Sequence, residues 1–265
     1  MADAALTQSG PLLELVFDRP EKLNALTLEM LDAVASAAEQ LERDDEIRVL
    51  LIRANGRFFS AGIDITSVSG GDSDEGPAQF RRRYRQTARH DVWDELEAAE
   101  KPVVVAHQGP CLGAGLEMSL SCDFRLASAD ASYGLPELAM GMIAGSGGTS
   151  RLVRTVGPHW ARWIGMASQR VSAEEALNMG LVHAVWPAAE LETRARQFCL
   201  GLAQQPADAL AAAKYAIELA TDLDRGGGRR LERLVNSSLA GRSEQVEALA
   251  ALKQRLSGGS KSRPS

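Results

Sequence analysis

Two glutamates and two glycine-rich turns carry the chemistry this sequence can offer. Gly113-Ala114-Gly115-Leu116-Glu117 follows the apolar run Val103-Val104-Val105, and Gly134-Leu135-Pro136-Glu137 leads to a second glycine-rich turn, Gly145-Ser146-Gly147-Gly148-Thr149. Glycines let a ligand approach the backbone closely, and the start of a helix leaves N–H donors unpaired. After Gly115 the pattern changes from strand-like to helical, which puts Glu117 in the first helical turn. An acid there is either a reacting group beside free amides or a carboxylate favoured by the helix dipole. Pro136 suits the first position of a short helix and places Glu137 in its first turn.

Other chemistries fit less well. The Gly113-x-Gly115 turn lacks the third glycine of a dinucleotide fingerprint, because position 118 is Met118. Ser146 lies between glycines, yet Ala144 stands where a nucleophile elbow has its first glycine. The histidines His90, His107, His159 and His183 are far apart and show no metal-ligand or triad spacing, and no phosphate-binding loop ends in Gly-Lys-Ser/Thr. Backbone amides and carboxylates remain as the chemical equipment.

The elements that must position these groups read as a β/α alternation. Leu12 to Phe17 is a strand that stops at Asp18-Arg19-Pro20, and a helix follows Thr27 with Leu28, Leu31, Val34, Ala38 and Leu41 at helical spacing. Val49-Leu50-Leu51-Ile52 has the continuous apolar character of a buried parallel strand, so the first three elements make a right-handed βαβ unit. The segment from Ser67 to Pro77 reads as a mobile loop. A helix over about 78–99 carries Arg81, Arg82, Arg83, Arg85 and Arg89. Those arginines either meet phosphates or form a solvated face balanced by Asp91, Asp94, Glu95 and Glu97. Ser172-Ala173-Glu174-Glu175 fits a capping box closed by Gly180, and Val182 to Trp186 is the last strand. Segments near 188–203, 207–220, 229–240 and 243–256 are helical, with Gly226-Gly227-Gly228 as a separator. The expected division is a β/α core over 1–187 and a helical region over 188–265.

With 265 residues, 45% hydrophobic and 24% charged, the chain can bury an ample core. A net charge of −6 argues against nucleic acid or a membrane surface as partner. Cys111, Cys122 and Cys199 are an odd number without metal spacing and suit a reducing compartment. No apolar run approaches membrane-spanning length and no secretion signal opens the chain, so a cytoplasmic location is expected.

Three motifs in order resemble the crotonase (enoyl-CoA hydratase/isomerase) superfamily. They are Phe59-Ser60-Ala61-Gly62-Ile63-Asp64, Gly113-Ala114-Gly115-Leu116-Glu117 before Cys122-Asp123, and Gly134-Leu135-Pro136-Glu137 with Gly145 to Thr149. Arg19-Pro20-x-x-x-Asn24-Ala25-Leu26 and Ser172 to Leu177 with Gly180-Leu181-Val182 are also similar to that family, so the likeness covers about residues 17–186. The resemblance implies an α/β fold: a crotonase-like spiral of ββα units with a C-terminal helical trimerisation region. It implies an acyl-CoA thioester as substrate, a homotrimer or dimer of trimers as the assembly, no metal, and no cofactor beyond the coenzyme A of the substrate.

Carried onto this chain, the oxyanion-hole donors are the backbone N–H groups of Ile63 and Ala114, the latter standing where the family usually has glycine. The catalytic pair is Glu117 and Glu137. Substrate and CoA contacts fall to Ala25, Leu26, Ala61, Gly62, Asp64, Ile65, Gly113 and Gly115, with Asp64 bracing the turn that aims Ile63. Because both glutamates are retained, the resemblance implies water addition across a 2-enoyl-CoA double bond. The alternatives are a 3-enoyl to 2-enoyl isomerase using Glu137 alone, or a non-catalytic binding protein of the same fold. An aromatic expected before the Lys-Arg pair at the CoA end is absent, since the chain there reads Ala251-Leu252-Lys253-Gln254-Arg255.

Overall fold

The computed structural model describes residues 3–64 and 91–259. Ile65, the Ser67–Pro77 stretch and Arg81 to Arg89 lie outside the described residues. The chain divides into two compact units, Met1–Leu202 and Ala203–Ser265.

In the first unit, β1 (Ala4–Ser9) and β2 (Leu12–Phe17) pair antiparallel across Gly10, which turns at φ 57°. Helix α1 (Leu28–Arg43) begins at Thr27, whose side chain accepts a hydrogen bond from Met30 N, and buries Met30, Leu31, Val34, Ala37, Ala38 and Leu41. Leu28, expected on that stripe, is exposed, because the buried face is centred on Val34 and Leu28 precedes it on another side of the helix. Strand β3 (Val49–Ala54) follows, then α2 (Asp91–Ala98) and β4 (Val103–His107). Next come β5 (Cys111–Leu112), α3 (Ala114–Leu120), β6 (Phe124–Ser128) and β7 (Ser132–Gly134). A short 3₁₀ turn spans Glu137–Met140, and α4 spans Gly148–Ala161 with a kink at Gly157, where φ is 75°. Strand β8 (Val171–Ser172), α5 (Ala173–Asn178), β9 (Ala184–Trp186) and α6 (Ala188–Ala203) complete the unit.

One six-stranded sheet has the order β1-β2-β3-β4-β6-β9, parallel from β2 onward. Its inner strands are buried along almost their whole length, as strands covered on both faces must be. A second, three-stranded sheet has the order β5-β7-β8. Main-sheet strands β4 and β6 each run on into a short strand of that second layer, β5 and β7, which pair in parallel. A single bridge between Ser60 and Cys111 adds the stretch after β3 to the same layer. The chain therefore repeats a main-sheet strand, a short strand of the second sheet and a helical segment. The expected capping box forms as well: Ser172 and Glu175 exchange side-chain to backbone bonds at 2.7 and 3.2 Å.

The first unit runs past residue 187 to include α6. Leu191, Ala195 and Cys199 are buried there, and Arg196 meets the buried Glu14 of β2 at 2.7 Å. The second unit holds α7 (Ala207–Ala220), α8 (Arg225–Leu239) and α9 (Ser243–Gly259). Gly226-Gly227-Gly228 does not separate helices as expected. Asp224 accepts from Gly227 N at 2.6 Å and caps α8, so the glycines form its first turn. Glu244 receives the N–H groups of Ala207 and Asp208 at 2.6 and 2.9 Å and closes the open end of α7. Among the described residues no helix is long and apolar enough to cross a membrane.

Candidate active site

The first wall of the site is a brace. Leu23 and Asn24 take left-handed backbone, at φ 55° and 50°, which folds the Arg19–Asn24 stretch back on itself. Asn24 is wholly buried; its side chain accepts from Arg19 N and donates to the carbonyls of Asn55 and Phe58, all at 2.8 Å. Arg19 reaches across to Asp64 at 2.8 Å and also donates to Ala25 O. Ser60, equally buried, donates to Asn24 O and accepts from Gly62 N. These bonds fix the turn through Ala61, Gly62 and Ile63 from beneath, and Asp64 contributes through its salt bridge.

A parallel bridge pairs Leu26 with Ile63 through Leu26 N–H to Gly62 O and Asp64 N–H to Leu26 O. The Ile63 amide therefore faces away from the ladder and has no acceptor among the described residues. The second wall is the β5–α3 turn, where Gly113 donates to Gly134 O at 3.0 Å and turns at φ 54°. Leu116 and Glu117 amides both return to Gly113 O, which leaves Ala114 N–H, the first of the helix, without an intrahelical partner. The two walls touch: a Cβ added to Gly62, at φ 101°, would lie 3.3 Å from Leu112 O and 3.6 Å from Ala114 N. Gly115 is equally constrained, since a Cβ there would meet Ser60 Cβ at 2.6 Å. Only glycine admits this approach, and it brings together the two turns that carry the half-buried Ile63 and Ala114.

Glu137 lies against the β5–α3 turn and feels the charge of Glu117. Glu137 follows the Gly134 strand end, and its Oε1 is so near the turn that a Cβ on Gly113 would lie 2.9 Å away. Its Oε2 is buried with no hydrogen-bond partner among the described residues. Burial pushes this carboxyl above the ordinary range. A hydrogen bond from its own backbone N–H offsets part of that, and the Glu117 charge adds to the rise. Glu117, also buried, accepts from Ser146 N at 2.9 Å through Oε1. It lies so tightly against the second glycine turn that a Cβ on Gly148 would sit 2.6 Å from Oε1. Two acids that feel each other, one with a raised pKa, next to paired N–H donors can hold a water and move its protons beside an oxyanion.

The structure brings together Ala25, Leu26, Ala61, Gly62, Ile63, Asp64, Gly113, Ala114, Gly115, Glu117 and Glu137, whereas Ile65 lies outside the described residues. Sequence reasoning missed Ser146 as the donor to Glu117, and it missed Arg151. Arg151 is buried on α4, donates to Ser146 O at 3.0 Å and pairs with Asp94 and with Glu97 at 2.6 Å. The available signal was an arginine one turn after a glycine-rich helix start, a place the helix dipole disfavours for a cation.

Comparison with known proteins places this geometry among relatives. The Enoyl-CoA hydratase/isomerase family matches residues 7–256. The chain is 31% identical to the 2,3-dehydroadipyl-CoA hydratase of Escherichia coli K12, across 96% of this chain and 97% of that one. It is 32% identical to the short-chain-enoyl-CoA hydratase of Clostridium acetobutylicum, across 93% and 92% of the two chains. Identity to the carnitinyl-CoA dehydratase of Salmonella agona is 34%, across 86% and 85%. Among solved structures, an enoyl-CoA hydratase subunit of Geobacillus kaustophilus superposes with a TM-score of 0.87 at 32% identity, covering 96% of this chain and 95% of that one. Pseudomonas aeruginosa DspI superposes with a TM-score of 0.88 at 28% identity, covering 96% and 95%.

Proposed function

The chain belongs to the enoyl-CoA hydratase/isomerase family, with the crotonase-like α/β spiral and a helical C-terminal region, and from that premise we propose that it hydrates a 2-enoyl-CoA thioester. The observation that carries this reading is Glu137 held against Gly113, with a raised pKa and Glu117 as its charged neighbour, beside the Ile63 and Ala114 amides. The two amides receive the thioester oxygen as it gains negative charge, and they stabilise the enolate-like state more than the substrate. Glu117 holds a water and takes its proton as the oxygen attacks C3. Glu137, whose burial favours the protonated form, starts with the proton that it delivers to C2. Exchange with solvent then returns each acid to its starting state. Coenzyme A enters as part of the substrate, and Ala25, Leu26, Ala61, Gly62, Asp64, Gly113 and Gly115 line its approach in this reading.

The three relatives named above differ in acyl group but share the addition or loss of water on a CoA thioester, which supports the reaction and leaves the acyl group open. A homotrimer or dimer of trimers in the cytoplasm completes the reading. Exposed Trp163 and Met166 supply apolar surface for such an assembly, and a single-chain mass in solution would count against it.

The test is hydration of but-2-enoyl-CoA by Glu117→Gln and Glu137→Gln. Each variant should lose about 10²- to 10⁴-fold in kcat. Near-wild-type turnover by both would sink the assignment. Double-bond migration in 3-enoyl-CoA that survives Glu117→Gln would instead identify an isomerase.

A further inference from the structure

Arg151 breaks a local rule and does so inside the protein. It lies near the start of α4, where the helix dipole disfavours a cation, and only 7% of it is exposed. The guanidinium folds back over the helix start. Nη1 donates to Ser146 O at 3.0 Å, while Nη2 meets Asp94 and Glu97 of α2. Room for this comes from Gly147, at φ 84°, since a Cβ there would lie 2.0 Å from Nη1. Nε is buried without a hydrogen-bond partner among the described residues.

A buried, incompletely matched ion pair is weak support for stability, since apolar packing of the same volume does as well. What the arginine does hold is orientation. Ser146 is gripped on both sides, its carbonyl by Arg151 and its N–H by Glu117 Oε1 at 2.9 Å. Rotation of residue 146 would swing that amide away from the carboxylate. A lysine could reach Ser146 O or the two acids of α2 but cannot fork to both.

We propose that Arg151 is a positioning residue for Glu117: by fixing the Ser146 carbonyl it fixes the amide that aims the Glu117 carboxylate, and Asp94 and Glu97 hold the guanidinium in that pose. This role rests on the acid-pair reading above.

The test uses the full chain and but-2-enoyl-CoA. Arg151→Met should lower kcat about 10- to 100-fold, the scale expected when a reacting group is displaced by about 1 Å. KM should move less than about threefold, because substrate binding does not depend on the aim of Glu117. Arg151→Lys should recover part of the loss. In a Glu117→Gln background Arg151→Met should cost nothing further, whereas in a Glu137→Gln background it should cost its full factor. An equal loss in both backgrounds, or a kcat within about twofold of wild type, overturns the role. Should Arg151→Met fail to fold, the pair Asp94→Asn and Glu97→Gln removes the more exposed anchors and should still lower kcat severalfold, measured below the variant's own Tm. An unchanged kcat in that protein overturns the proposal. An Arg151 variant with full activity beside a crippled Glu117→Gln ends the positioning role alone. Intact turnover in both glutamine variants ends both readings.

Discussion

Ala114 isolates one donor of the site without touching either acid. It is the first residue of α3, the position at which proline is tolerated because its missing N–H has no intrahelical acceptor. Ala114→Pro should therefore leave the helix intact and delete the donor. The expected loss is about 10²- to 10³-fold in kcat for but-2-enoyl-CoA, with an unchanged far-ultraviolet dichroism spectrum. A variant that keeps its turnover would show that the Ala114 amide does not meet the developing charge. At this scale the sequence was legible where a residue's meaning is local. Ile63, Ala114 and Glu117 stand beside Gly62, Gly113 and Gly115, where a positive φ or a close contact requires glycine, and Glu137 follows Gly134. Arg151 was not legible, since its partners Asp94 and Glu97 lie 57 and 54 residues away and only the fold brings them to it.

Among the elements, the turn before α1 is the foundation of the site. Asn24 ties two carbonyls and one amide together through three part-buried hydrogen bonds, and it does so in left-handed backbone, which asparagine tolerates better than most residues. Asn24→Ala should cost on the order of 3 kcal/mol in urea unfolding, since three part-buried hydrogen bonds of about 1 kcal/mol each are lost at once. It should also depress turnover, because Ser60 and the Gly62 turn rest on Asn24 O. A loss below about 1 kcal/mol would mean the turn is held by other contacts. Periodicity located α1, β2, β3, β4 and the capped α5, because burial on one or both faces writes itself into the residue pattern. It failed at Gly226-Gly227-Gly228, where three helix-weakening residues continue a helix under the Asp224 cap. Composition alone cannot weigh a cap against a propensity.

Across the whole molecule, the interior imposes a pH dependence of stability. His107 is fully buried between Phe59 and Tyr133, bonded to Tyr133 Oη at 3.1 Å, and its pKa is pushed down to about 3, first by burial and then by the charge of Arg125. The unfolded chain takes up a proton on this imidazole near its ordinary value of 6.5, whereas the folded chain does not. The stabilisation is whole above that value and is lost as pH falls from 6.5 toward about 3. The slope is about 1.4 kcal/mol per pH unit for this one group. His107→Gln should lose that slope, so the stability difference between wild type and variant should change by about 1.4 kcal/mol per pH unit in urea unfolding followed from neutral to mildly acid pH. Parallel curves would show that the imidazole titrates alike in both states. The ββα spiral with its helical C-terminal region could be anticipated from the motif order; how far the first unit runs could not, because α6 joins it through Arg196 and Glu14, 182 residues apart.

The brace, the two walls and the acids come from stretches that meet only in the finished fold. Arg19 and Asp64 are 45 residues apart, Glu117 and Ser146 are 29 apart, and each contact closes a loop whose entropy must be overcome. Parallel pairing of this kind forms slowly, so the complete site waits for the long-range contacts. Regained turnover is therefore a clock for that late pairing during refolding.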